Sequence, residues 1–296
     1  STVEHPAVSE VCDWLADMGF RITRVAVDAT GRVDPADVQR ALAADTVLVT
    51  IMHANNEVGT IQPIAEIARI ARAAGIVVHT DAAQSMGKIP VRVDELGVDL
   101  LSIAGHKLYA PKGVGALYVR TGTRIQKFMH GAAQEGDRRA GTENLLEVVG
   151  LGAACAIAAR DLAANAERMR MLRDRLQAGI ERRLGDLHVN GHPEARLPNT
   201  LSVSFAGIPA DAVLSELADV AASAGAACHS DRIEISPTLA AMAVPEAVAM
   251  GTIRFTTGRF LTEEEVDTAA EMVGSAVIRL RVGTPVDESA PPADDA

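Results

Sequence analysis

Val98-Asp99-Leu100-Leu101-Ser102-Ile103-Ala104-Gly105-His106-Lys107 is a mostly apolar run that stops at a glycine and is followed at once by a histidine and a lysine. A short apolar run with that punctuation predicts a buried strand. The amine then stands at the carboxyl end of the strand, beside a second titratable group. Burying an ammonium is costly unless it is paired or neutralised, so a lysine there is a poor structural choice. It is a good choice for a Schiff base, where the amine must lose its charge to attack a carbonyl.

Outward from this run the first half of the chain alternates helix-like and strand-like segments. Pro6 to Met18 has helical apolar spacing and stops at Gly19, and Phe20 to Val27 alternates like a strand. Asp34 to Ala43 is a short helix with an Asp34 cap and Pro35 in the first turn. Thr46 to Met52, Ile76 to His79 and Val114 to Val119 are further strands, and Pro63 to Ala74 is an amphipathic helix. Such alternation predicts an α/β fold with a largely parallel sheet covered by helices. Thr142 to about Arg182 is a long helical stretch, interrupted near Asn165. After it come strands at Thr200–Phe205 and Thr252–Phe255, a helix at Ala210–Asp219, and a helix from Thr262 to Val282 with Glu265 at the capping-box position. The expected organisation is a large domain over 1–163, a smaller C-terminal α/β domain over 164–284, and a disordered Pro-, Asp- and Ala-rich tail over 285–296.

The bulk numbers exclude some functions. A net charge of −11 argues against a nucleic-acid surface, which would be basic. No run of apolar residues is long enough to span a bilayer. Aromatics are 3% of the chain, so the core must be aliphatic. Cys12, Cys155 and Cys228 are too few and too scattered for a disulfide framework or a zinc site, which makes a reducing cytoplasm the expected compartment.

Ligands of an open parallel sheet collect at the carboxyl ends of its strands. Three ends carry polar residues: His53-Ala54-Asn55-Asn56-Glu57, Thr80-Asp81-Ala82-Ala83-Gln84 and Gly105-His106-Lys107. A carboxylate, amide donors and a lysine at one mouth suit pyridoxal phosphate, with the carboxylate on the pyridine nitrogen, an amide on the ring hydroxyl and the lysine on the aldehyde. Each has a plainer reading. Asp81 also suits the cap of the following turn, Asn55 and Asn56 suit a turn, and an isolated His106-Lys107 suits a solvated surface.

Four motifs then add a resemblance. HANNEVGTIQPI (53–64), HTDAAQSMGKIPV (79–91), SIAGHKLYAPKGVGALYV (102–119) and RRAGTEN (138–144) strongly resemble the cysteine desulfurases of the nitrogen-fixation and iron–sulfur-cluster (NifS/IscS-like) group, within the class V aminotransferase family. The likeness runs from Glu4-His5 to about Val282. It implies pyridoxal-phosphate fold type I, aspartate-aminotransferase-like. It implies that Lys107 bonds the cofactor, that Ser102 and His106 reach its phosphate, that Asp81 partners the pyridinium, and that Gln84 and Asn56 serve the ring oxygen. His5, in EHPAV, matches a ring-stacking, proton-shuttling histidine. Thr142 matches a residue that reaches the phosphate of a second subunit, so a homodimer is expected. Arg254, in TIRF, matches the arginine that clamps the substrate carboxylate, with Asn56 beside it. Cys228, in the Ser-, Gly- and Ala-rich loop SAGAACHSD (223–231), matches the mobile cysteine that takes the sulfur as a persulfide.

The implied reaction converts L-cysteine to L-alanine and passes sulfur to an acceptor protein for iron–sulfur clusters or other thio-cofactors. Selenocysteine lyase and a truncated, non-catalytic scaffold are the alternatives. The family carries a phosphate loop before the segment that matches EHPAV, and nothing here precedes Ser1 to match it. An N-terminally truncated fold is therefore expected, with weak cofactor binding if these residues are the entire protein. GAAQEGDRRAGT (131–142) also departs from a more glycine-rich pattern at Ala132 and Ala133.

Overall fold

A computed structural model describes residues 1–185, 187–229 and 232–283, with the side chains of 226–229, 232–234 and 283 left aside. The expected tail, 285–296, lies outside the described residues.

The first sheet has the order β1 (Leu48–Thr50), β2 (Val77–Asp81), β3 (Leu100–Ala104) and β4 (Gly115–Val119). The first three run parallel, and β4 pairs antiparallel with β3. The parallel strands therefore end on one side, as the mostly parallel reading requires. Helix Ile64–Ala73 buries Ile64, Ile67, Ala68 and Ala71 at helical spacing against this sheet, around Val49, Val78, Val98 and Leu101. Phe20–Val27, expected to be a strand, forms none. Alternation alone does not make a strand without a neighbour to complete its ladder, and β1 pairs only with β2 on its inner side.

The second sheet has the order β5 (His188–Asn190), β6 (Thr200–Ser204), β10 (Thr252–Thr256) and β7 (Ser223–Ala224), all antiparallel. Its core joins Leu201, Val203 and Ile253 to Leu172, Leu176 and Ile180 of helix Leu145–Leu184 and to Val273 and Val277 of helix Glu263–Gly283. The capping box at Thr262 is formed: Thr262 N donates to Glu265 Oε2 at 2.7 Å and Glu265 N to Thr262 Oγ1 at 3.2 Å.

Helix Leu145–Leu184 runs unbroken for 40 residues, so the interruption expected at Asn165 is absent. One Asn costs a helix interior only a few tenths of a kcal/mol up to about 0.7, which packing along both flanks outweighs. Leu151 and Ala154 pack on Leu108 beside the first sheet, and Leu172 to Ile180 pack on the second. We propose that the division into 1–163 and 164–284 falls within this helix, where its contacts change sheet. Among the described residues no helix is long and apolar enough to cross a membrane.

The segment around Cys228 is a hairpin, not a loop: β8 (Ala226–His229) pairs antiparallel with β9 (Arg232–Ile235), Cys228 opposite Ile233. Small residues did not prevent pairing because the alternating Ile233-Glu234-Ile235 stretch supplies the second strand.

Candidate active site

β3 leads directly into a 3-10 turn, Gly105–Leu108, that carries His106 and Lys107. Glycine is needed twice here. A Cβ at Gly105 would lie 2.7 Å from the Val114 carbonyl oxygen, and one at Gly115 would lie 2.6 Å from that of Ile103. Those close approaches let β4 fold back over the turn. Tyr109 ends the turn in the left-handed region, φ 64°, which is uncommon for a residue with a side chain. It is held from the turn that follows β10. Arg259 N donates to the Tyr109 hydroxyl at 3.3 Å, and the Arg259 guanidinium lies 4.5 Å from the centre of the Tyr109 ring.

Lys107 and His106 are exposed, which corrects the expectation of a buried amine. The strand ends under cover, but the turn lifts the next two side chains out of the sheet. Lys88, in the same segment as Asp81 and Gln84, is half-buried. Lys88 Nζ donates to the Gln84 carbonyl at 2.7 Å. Loss of hydration, with repulsion from Lys107 added, lowers its pKa to about 8.

At the end of β1, Asn55 shapes the turn. Its Oδ1 accepts from Glu57 N (2.8 Å) and Val58 N (2.9 Å), and its Nδ2 donates to the Val3 carbonyl. Asn56 is thereby left to line the cavity, and its carbonyl accepts from Arg254 Nη1 at 2.9 Å. At the end of β2, Asp81 Oδ1 accepts from Ala83 N at 2.8 Å, so one of its oxygens caps the turn that carries Gln84. Ser102 is committed elsewhere: its hydroxyl meets His79 Nε2 at 2.9 Å, while Thr50 meets His79 Nδ1 at 2.7 Å. Burial lowers the His79 pKa, and the charges of Asp81 and Glu4 partly offset that.

His53 ties the first two strand ends together. Its backbone N donates to the Asp81 carbonyl at 2.8 Å and its Nδ1 lies 2.9 Å from Ser85 Oγ. The ring is buried, and desolvation lowers its pKa to about 4. An unfolded chain takes up this proton near pH 6.5, the folded one only near pH 4, so stability is full above pH 6.5 and falls as the pH drops towards 4. The loss is about 3 kcal/mol. Urea midpoints at pH 7.5 and pH 4.5 for the parent and for His53→Gln measure it. The parent is expected to lose about that much more than the variant, and equal losses would exclude His53 as the cause.

A cavity of about 290 Å³ opens at these strand ends, against β10 and helix Leu145–Leu184. It brings together five of the expected residues: Asn56, Gln84, His106, Lys107 and Arg254. Lys88, Asn165 and Arg259 also line it. None of these three was singled out for a role in the sequence, although Lys88 lies within one of the quoted motifs and Arg259 follows Arg254 by five residues. Among the described lining residues none is acidic, in a chain whose net charge is −11. Arg254 Nε and Arg259 Nε are buried and have no hydrogen-bond partner among the described residues. A basic lining of this kind suits an anionic ligand, and with Lys88 and Lys107 present it is compatible with a phosphorylated aldehyde. Asp81, Ser102, His5 and Thr142 are not among the described lining residues. His5 caps helix Pro6–Asp17, its Nδ1 accepting from Ala7 N at 3.1 Å, and Thr142 is exposed just before helix Leu145–Leu184. No group of three or more side chains placed to hold a metal ion occurs among the described residues.

The family model described as aminotransferase class-V matches residues 1–268. This chain belongs to the class V aminotransferases. Among similar class V proteins, cysteine desulfurase IscS of Dictyoglomus turgidum is 46% identical over 287 residues, covering 96% of this chain and 73% of its own length. A solved structure described as a NifS-like protein superposes with a TM-score of 0.87 at 36% identity, covering 94% of this chain and 74% of that one. Another, described as SspA in complex with cysteine, has a TM-score of 0.74 at 32% identity and covers 88% and 73%. The chain thus spans about three quarters of each of these class V relatives.

Proposed function

We propose that this chain is a pyridoxal-phosphate-dependent cysteine desulfurase that converts L-cysteine to L-alanine and delivers the sulfur to an acceptor protein for iron–sulfur cluster assembly. The observation that carries this reading is the convergence of Lys107, Arg254, Asn56 and Gln84 on one cavity without acidic lining residues, in a chain so similar to a cysteine desulfurase. Pyridoxal phosphate, when bound, supplies an aldehyde for an amine and a ring that accepts the electrons released when the α C–H bond breaks.

In this reading Lys107 Nζ is the amine that would hold the cofactor's aldehyde, and the same nitrogen would move the α-proton of the substrate. His106 and Lys88 meet phosphate charge, with Ser102 and His5 retained from the resemblance as further cofactor neighbours. Asp81 partners the ring nitrogen through the oxygen that the turn leaves available. Gln84 and Asn56 donate to the ring oxygen, and Arg254 takes the substrate carboxylate. Cys228 attacks the substrate sulfur: an S–S bond forms, the Cβ–S bond breaks, and its electron pair stays on the carbon that becomes the methyl group of alanine. The products are L-alanine and a persulfide on Cys228.

A homodimer accords with this reading. Thr142, the residue expected to reach a second subunit, immediately precedes the first turn of helix Leu145–Leu184, where Leu145, Leu146 and Val149 are exposed. Apolar surface of that kind marks an interface. The cytoplasm is the proposed compartment.

The test is release of sulfide and L-alanine from L-cysteine in the presence of a reducing thiol, compared with selenide release from L-selenocysteine. Strong preference for selenocysteine would replace the desulfurase with a lyase. Arg254→Met is expected to raise KM for L-cysteine by about 10²-fold or more, since two charge-assisted hydrogen bonds are lost. An unchanged KM would remove Arg254 from the carboxylate site.

A further inference from the structure

We propose that Gly258, Arg259 and Phe260 grip Tyr109, and that this grip presents Lys107 rather than Lys88 to the cofactor's aldehyde. The inference rests on the cofactor reading given above. It makes Tyr109 and Arg259 positioning residues for the amine.

Two lysines line the cavity, Lys107 and Lys88. They are neighbours because Gly87 carries no side chain. Its φ is 75°, and a Cβ there would lie 2.6 Å from Leu108 Cδ2. The segment that carries Lys88 is thereby pressed against the residue that follows Lys107. Either amine has the chemistry required: it attacks the aldehyde carbon, a C=N bond forms and the oxygen leaves as water. Position, not residue type, must select between them.

Lys88 is tethered within its own turn. Its Nζ donates to the Gln84 carbonyl at 2.7 Å, and its backbone N donates to the Ser85 carbonyl at 3.0 Å. Lys107 is exposed, so its place follows the backbone of its own turn. The start of that turn is held on the first sheet: Gly105 N donates to the Val114 carbonyl at 2.9 Å, and Leu108 packs on Leu151 and Ala154. Tyr109 N and Ala110 N both donate back to the Gly105 carbonyl. Those bonds close the turn, but they do not tie it to the opposite wall of the cavity. They also leave Tyr109 at φ 64°, a region that is unfavourable for a residue with a Cβ.

Residues 258–260 supply the missing tie. Arg259 N donates to the Tyr109 hydroxyl at 3.3 Å, and the Arg259 guanidinium lies 4.5 Å from the centre of the Tyr109 ring. The Phe260 ring meets the Tyr109 ring edge-on, with centres 5.5 Å apart. The same guanidinium lies 4.8 Å from the centre of the Phe260 ring, so one cation joins both rings. A Cβ at Gly258 would lie 2.9 Å from the Tyr109 hydroxyl, and its absence lets the chain come this close. These residues follow β10, which places Arg254 in the same cavity. The grip therefore sets the Lys107 turn against the wall proposed to take the substrate carboxylate, while both bonds of Lys88 stay within its own segment. Lys107 is the amine placed with respect to both halves of the site.

The experiment loads the full chain with pyridoxal phosphate at pH 8, near the Lys88 pKa, so that both amines compete. Borohydride then adds hydride across the C=N bond, and peptide mass spectrometry gives the ratio of pyridoxyl group on Lys107 to that on Lys88. The parent ratio is expected to favour Lys107. It is expected to fall by about 10-fold in Tyr109→Leu, the combined weight of one hydrogen bond and one cation–π contact. That variant leaves Arg259 in the cavity wall, and because Tyr109 is 52% exposed its melting temperature is expected to be unchanged. In Arg259→Met, which keeps the backbone N–H bond, the ratio is expected to fall by about 3-fold, and Arg259→Lys is expected to restore it by returning a cation to the ring. A parent ratio retained in Tyr109→Leu and Arg259→Met would overturn the proposal. Failure of the underlying reading shows in the parent alone: label chiefly on Lys88 removes Lys107 as the anchor, and label on neither lysine removes the cofactor.

Discussion

Lys107→Ala is expected to lower kcat/KM for L-cysteine by at least about 10³-fold. A positioned base that moves a proton contributes about 10²–10⁴ in rate, and in the proposed reading this lysine would also be the covalent anchor of the cofactor. The structure makes the variant informative, because Lys107 is exposed on a turn. Its loss therefore leaves no hole in the core, and an unchanged melting temperature is expected beside the lost activity. Two further readouts separate chemistry from folding. The visible absorbance that pyridoxal phosphate gains when its aldehyde is bound to an amine should disappear in Lys107→Ala. Phosphate affinity, measured with inorganic phosphate, should fall only modestly, because Lys88, His106 and Arg259 remain in the cavity wall. Lys88 is the other lysine among the described lining residues, with a pKa lowered to about 8, and could substitute. Absorbance that survives Lys107→Ala and vanishes in Lys88→Met would transfer the anchoring role to Lys88.

Cys228→Ser is expected to abolish persulfide formation and to lower alanine production by at least about 10³-fold, because a hydroxyl is a far poorer nucleophile than a thiolate at neutral pH. The spectral response to L-cysteine should survive, since Lys107, Arg254 and Asn56 are untouched. Mass spectrometry of the parent after brief exposure to L-cysteine should find one added sulfur on the Cys228 peptide and none on those of Cys12 or Cys155. Cys12→Ser and Cys155→Ser are expected to retain activity. Cys12 lies on helix Pro6–Asp17 and Cys155 on helix Leu145–Leu184 beside Leu108, Leu151 and Ala154. Added sulfur on Cys155, or full activity in Cys228→Ser, would assign the transfer to another group.

The strand ends were legible because a strand covered on both faces is written as a continuous apolar run, and polar residues just past it stand out. That pattern located Asn56, Gln84, His106, Lys107 and, with the resemblance, Arg254, all of which line one cavity. It misplaced the buried charge. Adjacency in sequence suggested that Lys107 shared the burial of β3, but a 3-10 turn changes direction within one residue, and Lys88 is the enclosed amine. The alternation of Phe20–Val27 predicts a strand because a single segment does not reveal whether a neighbour exists to accept its hydrogen bonds. Asn165 predicts a break because propensity is local. In the helix it is flanked by residues that pack on both sheets, and its side chain reaches the cavity.

Local information thus carried the family, the α/β alternation, the caps at Asp34 and Thr262, and most of the chemistry at the strand ends. These depend on residues within a few positions of one another, where backbone sterics and hydrogen bonding act directly. Long-range packing settled the rest. His53 is clamped to Ser85 from 32 residues away, Arg254 reaches Asn56 from 198, and Glu57 holds Thr238 from 181. It is those contacts that turn scattered polar residues into a cavity with no acidic residue among its described walls. Contacts between segments so far apart form only when two sheets and the helix between them are packed together, so no window of sequence contains them.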